Sequence, residues 1–196
     1  MPTEKPFAFD IVIDEATMSR YDRHIKRRLS AMRGQYLDEA AYQGLIEHED
    51  TLLYEVFETT RPDTTGELLN GLTVIHPGQV GQEYFMTKGH FHAVMEATEV
   101  YYCLKGQGMM VMENLAGECA VEAFYPGRVV YIPARWAHRT VNTSPDGELV
   151  FFWVCPANAG HDYGTIERHG FRKLVIDVAG QPEVIDNPRW RSDERR

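Results

Sequence analysis

Cysteine is scarce in this 196-residue chain: Cys103, Cys119 and Cys155 are the whole set, and none falls in a C-x-x-C pair. An odd and sparse set excludes a disulfide framework and fits a reducing compartment. Burial preference makes these thiols small core residues rather than metal ligands. Long apolar runs are absent too. The longest, such as the stretch from Glu148 to Cys155, fall far short of the roughly 20 residues that a bilayer-spanning helix needs. The opening Met-Pro-Thr-Glu-Lys-Pro-Phe has no basic segment followed by an apolar one, so no secretion signal is expected. Basic charge is in deficit: 20 Lys and Arg against 29 Asp and Glu leave a formal net charge of -9. The one basic run, Arg23 to Arg28, is short, so neither a nucleic acid nor a membrane is an expected partner, and a cytoplasmic location is. An anionic substrate would have to be held by local donors against an unfavourable overall field.

What is present is enough for a packed core, with 43% hydrophobic and 25% charged residues. The length suggests one domain with extra arms. Residues 1–50 read as an N-terminal helical arm: Ala41, Tyr42, Leu45 and Ile46 carry the i, i+3, i+4 spacing of one helical face, and Arg23 to Met32 is a weaker second helix. From Thr51 the period changes. Short runs rich in Val, Ile, Tyr and Phe alternate with turn signals such as Pro77-Gly78, Lys105-Gly-Gln-Gly108, Pro126-Gly127 and Pro145-Asp-Gly147. Runs this short and this regularly interrupted predict an all-β sandwich or barrel over residues 51–158. Residues 159–196 then supply a polar loop, a hairpin over Arg172–Val178 and Glu183–Ile185, and a charged tail that would fray.

The chemistry concentrates at His90-Phe-His92. Two residues apart on an extended chain, both imidazoles point to one face, the geometry for two ligands on one ion. Glu99 opens the next strand, and His138 lies on a later one. The set His90, His92, Glu99 and His138 offers three nitrogens and one oxygen, with room for water or substrate on an octahedral ion. That donor set suits Fe²⁺, Mn²⁺, Ni²⁺ or Zn²⁺ better than Mg²⁺ or Ca²⁺, which prefer oxygen shells. A closed structural zinc site would favour cysteines. His24, His48, His76 and His169 have no matching partners and read as surface or structural.

These blocks resemble the two motifs of the cupin superfamily: a stretch ending in His-x-His and then Glu, and a second stretch of Gly, Pro, His and Asn, here Gly127, Pro133, His138 and Asn142. The resemblance implies a cupin (double-stranded β-helix, or jelly-roll) barrel. Two departures stand out. The usual spacing would allow Glu96 as the carboxylate ligand, but Glu99 has the expected glycine, Gly106, after it. The glycine usual in Pro-x-Gly is Arg135 here, so the turn is expected to differ. More narrowly, the chain resembles the cupin-type, or archaeal-type, glucose-6-phosphate isomerases. The matching strings include Thr87-Lys-Gly-His-Phe-His-Ala93, Trp136-Ala-His-Arg-Thr-Val-Asn142, Ala159-Gly-His-Asp-Tyr-Gly-Thr-Ile166 and Asp186-Asn-Pro-Arg-Trp190, in order over most of the chain. Cys155 stands where the family commonly has tyrosine.

This resemblance implies interconversion of glucose 6-phosphate and fructose 6-phosphate in a homodimer, with one divalent ion per subunit, Fe²⁺ first among the candidates. Moving a carbonyl between C1 and C2 needs a base at the C2 proton, polarised oxygens and a route for hydroxyl protons. Glu99 would ligate the ion and serve as base through a cis-enediol, with a hydride shift as the rival route. Tyr101, two residues on, would share its face. Thr73, Thr87, Lys88 and the Gly89 amide would bind the phosphate, and His161 and Tyr163 would relay protons or assist ring opening. A cupin dioxygenase, a mannose 6-phosphate isomerase and a non-catalytic sugar-phosphate sensor are the rival readings.

Overall fold

Fifteen strands and two helices make up the described part of the protein, residues 5–190 of the computed structural model. In chain order they are β1 (Ile11–Val12), β2 (Thr17–Met18), β3 (Arg23–Arg28), α1 (Glu39–His48), β4 (Leu52–Glu58), β5 (Leu68–Ile75), β6 (Gln79–Val80), β7 (Glu83–Tyr84), β8 (Glu99–Lys105), β9 (Gly108–Asn114), β10 (Cys119–Phe124), β11 (Val129–Ile132), β12 (Trp136–Asn142), β13 (Leu149–Pro156), α2 (Gly164–His169), β14 (Lys173–Val178) and β15 (Gln181–Asp186). The strands fall where β-branched and aromatic residues run between Gly and Pro turns, because such side chains fit a pleated surface and Gly or Pro ends the ladder.

Six strands form the largest sheet, in the order β11-β8-β13-β5-β4-β3, and three form a second, β10-β9-β12. One apolar cluster draws Leu53, Ile75, Cys103 and Phe151 from the first and Met110, Met112 and Val141 from the second. The two sheets therefore share a core between them, and the arrangement is an all-β fold of jelly-roll type. The terminal hairpin β14–β15 adds to β7 and β6 as a four-stranded sheet. Cys103 and Cys155 are buried and Cys119 half-buried, all three as free thiols. No helix among the described residues is long and apolar enough to cross a membrane.

The N-terminal arm is less helical than its sequence suggests. Helix α1 forms as expected, with Asp38 Oδ1 accepting from the Ala41 amide as an N-cap. The second expected helix, Arg23 to Met32, is instead strand β3 followed by one 3₁₀ turn over Leu29–Met32. The reason lies on β4, which pairs antiparallel with β3: Glu58 takes Arg23 at 2.8 Å, while Glu55 takes His24 at 2.6 Å and Lys26 at 3.5 Å. Cross-strand charge pairs outweigh a modest helix propensity. A second correction concerns Pro133-Ala-Arg135. Arg135 adopts a positive φ of 70°, the conformation glycine favours, held by its amide donating to Met95 O and its guanidinium to Glu96 Oε1, both at 2.8 Å. The turn thus makes the glycine-type bend without glycine. The expected polar loop ends early, because its last residues, 164–166, begin the short helix α2. The charged tail lies outside the described residues.

Candidate metal centre and active site

Two backbone features bring the histidines together. His90 and His138 face each other across an antiparallel bridge, with amide–carbonyl distances of 3.3 and 3.1 Å. His92 follows two residues on, and Glu99 begins β8 in the six-stranded sheet. One ligand atom from each of His90, His92, Glu99 and His138 lies within 4.8 Å of all the others. His92, Glu99 and His138 are buried. The alternative carboxylate, Glu96, is 69% exposed and turned to Arg135.

The polar atoms of the cluster are left in a state that suits a cation. His90 Nε2 is buried without a hydrogen-bond partner. Glu99 Oε2 lies 2.9 Å from His138 Nε2, yet the angle makes no hydrogen bond, so the two atoms converge on a common point rather than on each other. His92 Nδ1 sits 3.1 Å from Ala97 O; donation there leaves the Nε2 lone pair facing Glu99 Oε2 at 3.2 Å. Three imidazole nitrogens and a carboxylate so arranged fit a divalent ion with nitrogen and oxygen preferences. Burial pushes His90 far down, and its three histidine neighbours add to that. Burial opposes ionisation of Glu99, but in their protonated forms, with no cation between them, His138 and His92 would outweigh it and hold the carboxyl down to about 2.

The cluster opens into a cleft lined by Thr73, Thr87, Lys88, Gly89, Tyr101, His161 and Tyr163, so every residue singled out in the sequence meets there except His92, which sits behind. Thr73 Oγ1 accepts from Trp153 Nε1 at 3.1 Å, and Thr87 Oγ1 from the Thr140 amide at 3.0 Å. Each hydroxyl's hydrogen is then left to donate elsewhere. Gly89 has a φ of +76°, and a Cβ there would meet Phe171 at 2.5 Å, so the close approach of its backbone depends on glycine. Tyr101 stacks on Phe151 (centroids 5.0 Å apart) and stands edge-on to His138 at 5.5 Å. Burial raises its phenol well above the usual range.

The segment 159–162 is zipped onto the His90 segment through Phe91–Asp162, Ala93–Gly160 and Val94–Ala159 backbone bonds. Asp162 turns away to bond the Gly164 amide and Thr165 hydroxyl at the start of α2, at 3.0 and 2.8 Å. Its neighbours His161 and Tyr163 turn the other way. Their rings stack in parallel, 5.5 Å apart and 6° from coplanar, with His161 4.3 Å from the His90 ring. Partial desolvation lowers the His161 pKa, with Glu99 opposing and His92, His138 and Arg27 reinforcing.

Seven further cleft residues escaped the sequence reading: Arg27, Tyr54, Glu58 and Trp153, with the apolar Ile25, Val56 and Phe151. Strand alternation is the signal that could have found them. Val56 pairs with Thr73, Thr73 with Phe151 and Trp153 with Tyr101, so one face of the six-stranded sheet forms the floor.

Residues 26–191 match the family described as glucose-6-phosphate isomerase. The chain is 45% identical over 190 residues to "Glucose-6-phosphate isomerase" of Thermococcus gammatolerans, covering 97% of this chain and 99% of that one. It is 48% identical over 170 residues to the protein of the same name from Pyrococcus horikoshii, covering 87% and 89%. Among solved structures, an oxalate oxidase in complex with the substrate analogue glycolate superposes with a TM-score of 0.47 at 17% identity, over 58% of this chain and 56% of that one. By the extent and identity of the sequence matches, the chain belongs to the glucose-6-phosphate isomerase family.

Proposed function

We propose that this protein interconverts glucose 6-phosphate and fructose 6-phosphate in the cleft above His90, His92, Glu99 and His138. The observation that carries the reading is that one cleft joins a three-histidine, one-glutamate cluster to a separate set of phosphate-type donors, Thr73, Thr87 and Gly89. The cluster would hold one divalent ion per subunit, Fe²⁺ by preference, with Mn²⁺, Ni²⁺ or Zn²⁺ as alternatives. When bound, such an ion supplies a Lewis acid that polarises the sugar's carbonyl and neighbouring hydroxyl oxygens.

The chain's own groups do the rest. Thr73, Thr87 and the Gly89 amide bind the phosphate and thereby fix C1 and C2 near the buried carboxylate. Glu99 takes the proton from C2 and returns it at C1, a route through a cis-enediol. Tyr101, buried and protonated, donates a hydrogen bond at the reacting end. The stacked His161 and Tyr163 close the mouth of the cleft and move the ring and hydroxyl protons. A homodimer and a cytoplasmic location belong to the same reading.

Isomerisation is tested by incubating the metal-loaded protein with fructose 6-phosphate and following the C1 and C2 carbon signals by NMR. Glucose 6-phosphate as the first product supports the proposal. Mannose 6-phosphate as first product, or oxygen consumption with an organic substrate and no isomerisation, would point to another chemistry on the same fold.

A further inference from the structure

Strand β3 delivers a charge to the cleft that the basic run Arg23–Arg28 conceals. Alternation sends His24 and Lys26 to one face, where both meet Glu55, and Ile25 and Arg27 to the other, where both line the cleft. Arg27 stands opposite Tyr54, whose neighbour on the same face, Val56, pairs with Thr73. Two permanent cations line this cleft, Arg27 and Lys88. They are not equivalent. Lys88 Nζ is engaged by the carboxylate of Glu167 on α2. The Arg27 guanidinium has no ion pair and no hydrogen bond among the described residues, and its Nε is buried without a partner. Glu58, a carboxylate lining the same cleft four residues along β4 from Tyr54, is taken by Arg23 at 2.8 Å.

An arginine fork next to hydroxyl donors, with no carboxylate of its own and a buried N–H lacking an acceptor, is built to receive an oxyanion from outside. We propose that Arg27 is a specificity-determining residue that binds the phosphate of the sugar substrate and supplies the positive charge that Lys88, held by Glu167, does not. This rests on the sugar-phosphate reading given above. It also accounts for how a chain of net charge -9 retains a dianion. Arg27 lines the same cleft as Thr73, Thr87 and Gly89, so its fork and those donors can reach one anion.

The test compares wild type, Arg27→Gln and Arg27→Lys as metal-loaded proteins. Arg27→Gln should raise KM for fructose 6-phosphate about 10- to 100-fold, the loss of hydrogen bonds to a charged group, with kcat and metal content changed little. Arg27→Lys should recover part of the loss, since it keeps the charge without the fork. Calorimetric titration with inorganic phosphate should show weaker binding to Arg27→Gln by a similar factor. Equal phosphate affinity in Arg27→Gln and wild type would overturn the assignment whether or not either protein turns over. So would a fall in kcat with KM unmoved. Wild type that binds phosphate through Arg27 but leaves fructose 6-phosphate unchanged would instead sink the isomerase reading and spare this one.

Discussion

Glu99 Oε2 sits 2.9 Å from His138 Nε2 in the buried centre of the fold, while Glu96, three residues earlier, reaches outward to Arg135 at 2.8 Å. The two carboxylates are alike in the sequence and opposite in environment. Glu99→Gln should therefore lower turnover by about 10²–10⁴-fold, as expected on losing a general base. Glu96→Gln should leave it within about twofold, because exposed ion pairs contribute little. Steady-state rates on fructose 6-phosphate decide this, and the reverse ranking would contradict the geometry.

Lys88 is tied to Glu167, so α2 and the Thr87–Gly89 segment are linked by charge. Glu167→Gln should free the Lys88 ammonium and strengthen inhibition by inorganic phosphate. The gain should shrink as salt rises from low ionic strength to 0.15 M, where exposed charges are screened over about 8 Å. Unchanged phosphate inhibition at every salt concentration would mean that Lys88 does not reach the anion.

Gly89 is held at φ +76° with Phe171 where a side chain would be. Gly89→Ala should cost more than the roughly 1–2 kcal/mol of the left-handed conformation alone, since Phe171 must also move. The predicted signature is a lowered thermal midpoint together with a raised KM. A variant with wild-type stability and KM would show that the tight backbone there is not needed.

Away from the site, Glu55 accepts from His24 at 2.6 Å and from His76 at 3.3 Å. Burial opposes its ionisation, but these hydrogen bonds and Lys26 prevail, and its pKa lies below the ordinary 4.5. A carboxylate depressed in the folded state contributes stability that is complete above its unfolded pKa and is lost as pH falls through the folded one. Glu55→Gln should thus lower stability by about 1 kcal/mol at pH 6 to 7, and the gap from wild type should close as the pH drops below about 4. Thermal melts across that range measure it; a gap independent of pH would contradict the assignment.

Much of the site could be read in the sequence because its residues are local. His90 and His92 share a face by strand period alone, and Glu99 and Tyr101 do the same on β8. The strands themselves show through their Gly and Pro punctuation. What escaped depends on pairing between distant segments. Arg23–Met32 carries good helix formers, and it is antiparallel pairing with β4 that makes Arg23–Arg28 a strand. Alternation gives Arg27 and Tyr54 each a face within its own strand, but their meeting in one cleft depends on that same pairing. The bonds from Asp162 to the Gly164 amide and Thr165 hydroxyl hide in a loop whose ligand-like residues draw attention to His161 and Tyr163 instead.

On the proposed function, His90, His92, Glu99 and His138 form one metal site on which the isomerase activity depends. That dependence is tested most directly by stripping the protein with a chelator, adding back Fe²⁺ in measured steps, and following bound metal and fructose 6-phosphate turnover together. Activity should be lost on stripping and return in proportion to occupancy, levelling at one ion per chain, and His138→Ala should recover neither. Full turnover in protein shown to be free of metal, or activity that returns without a bound ion at this cluster, would contradict it.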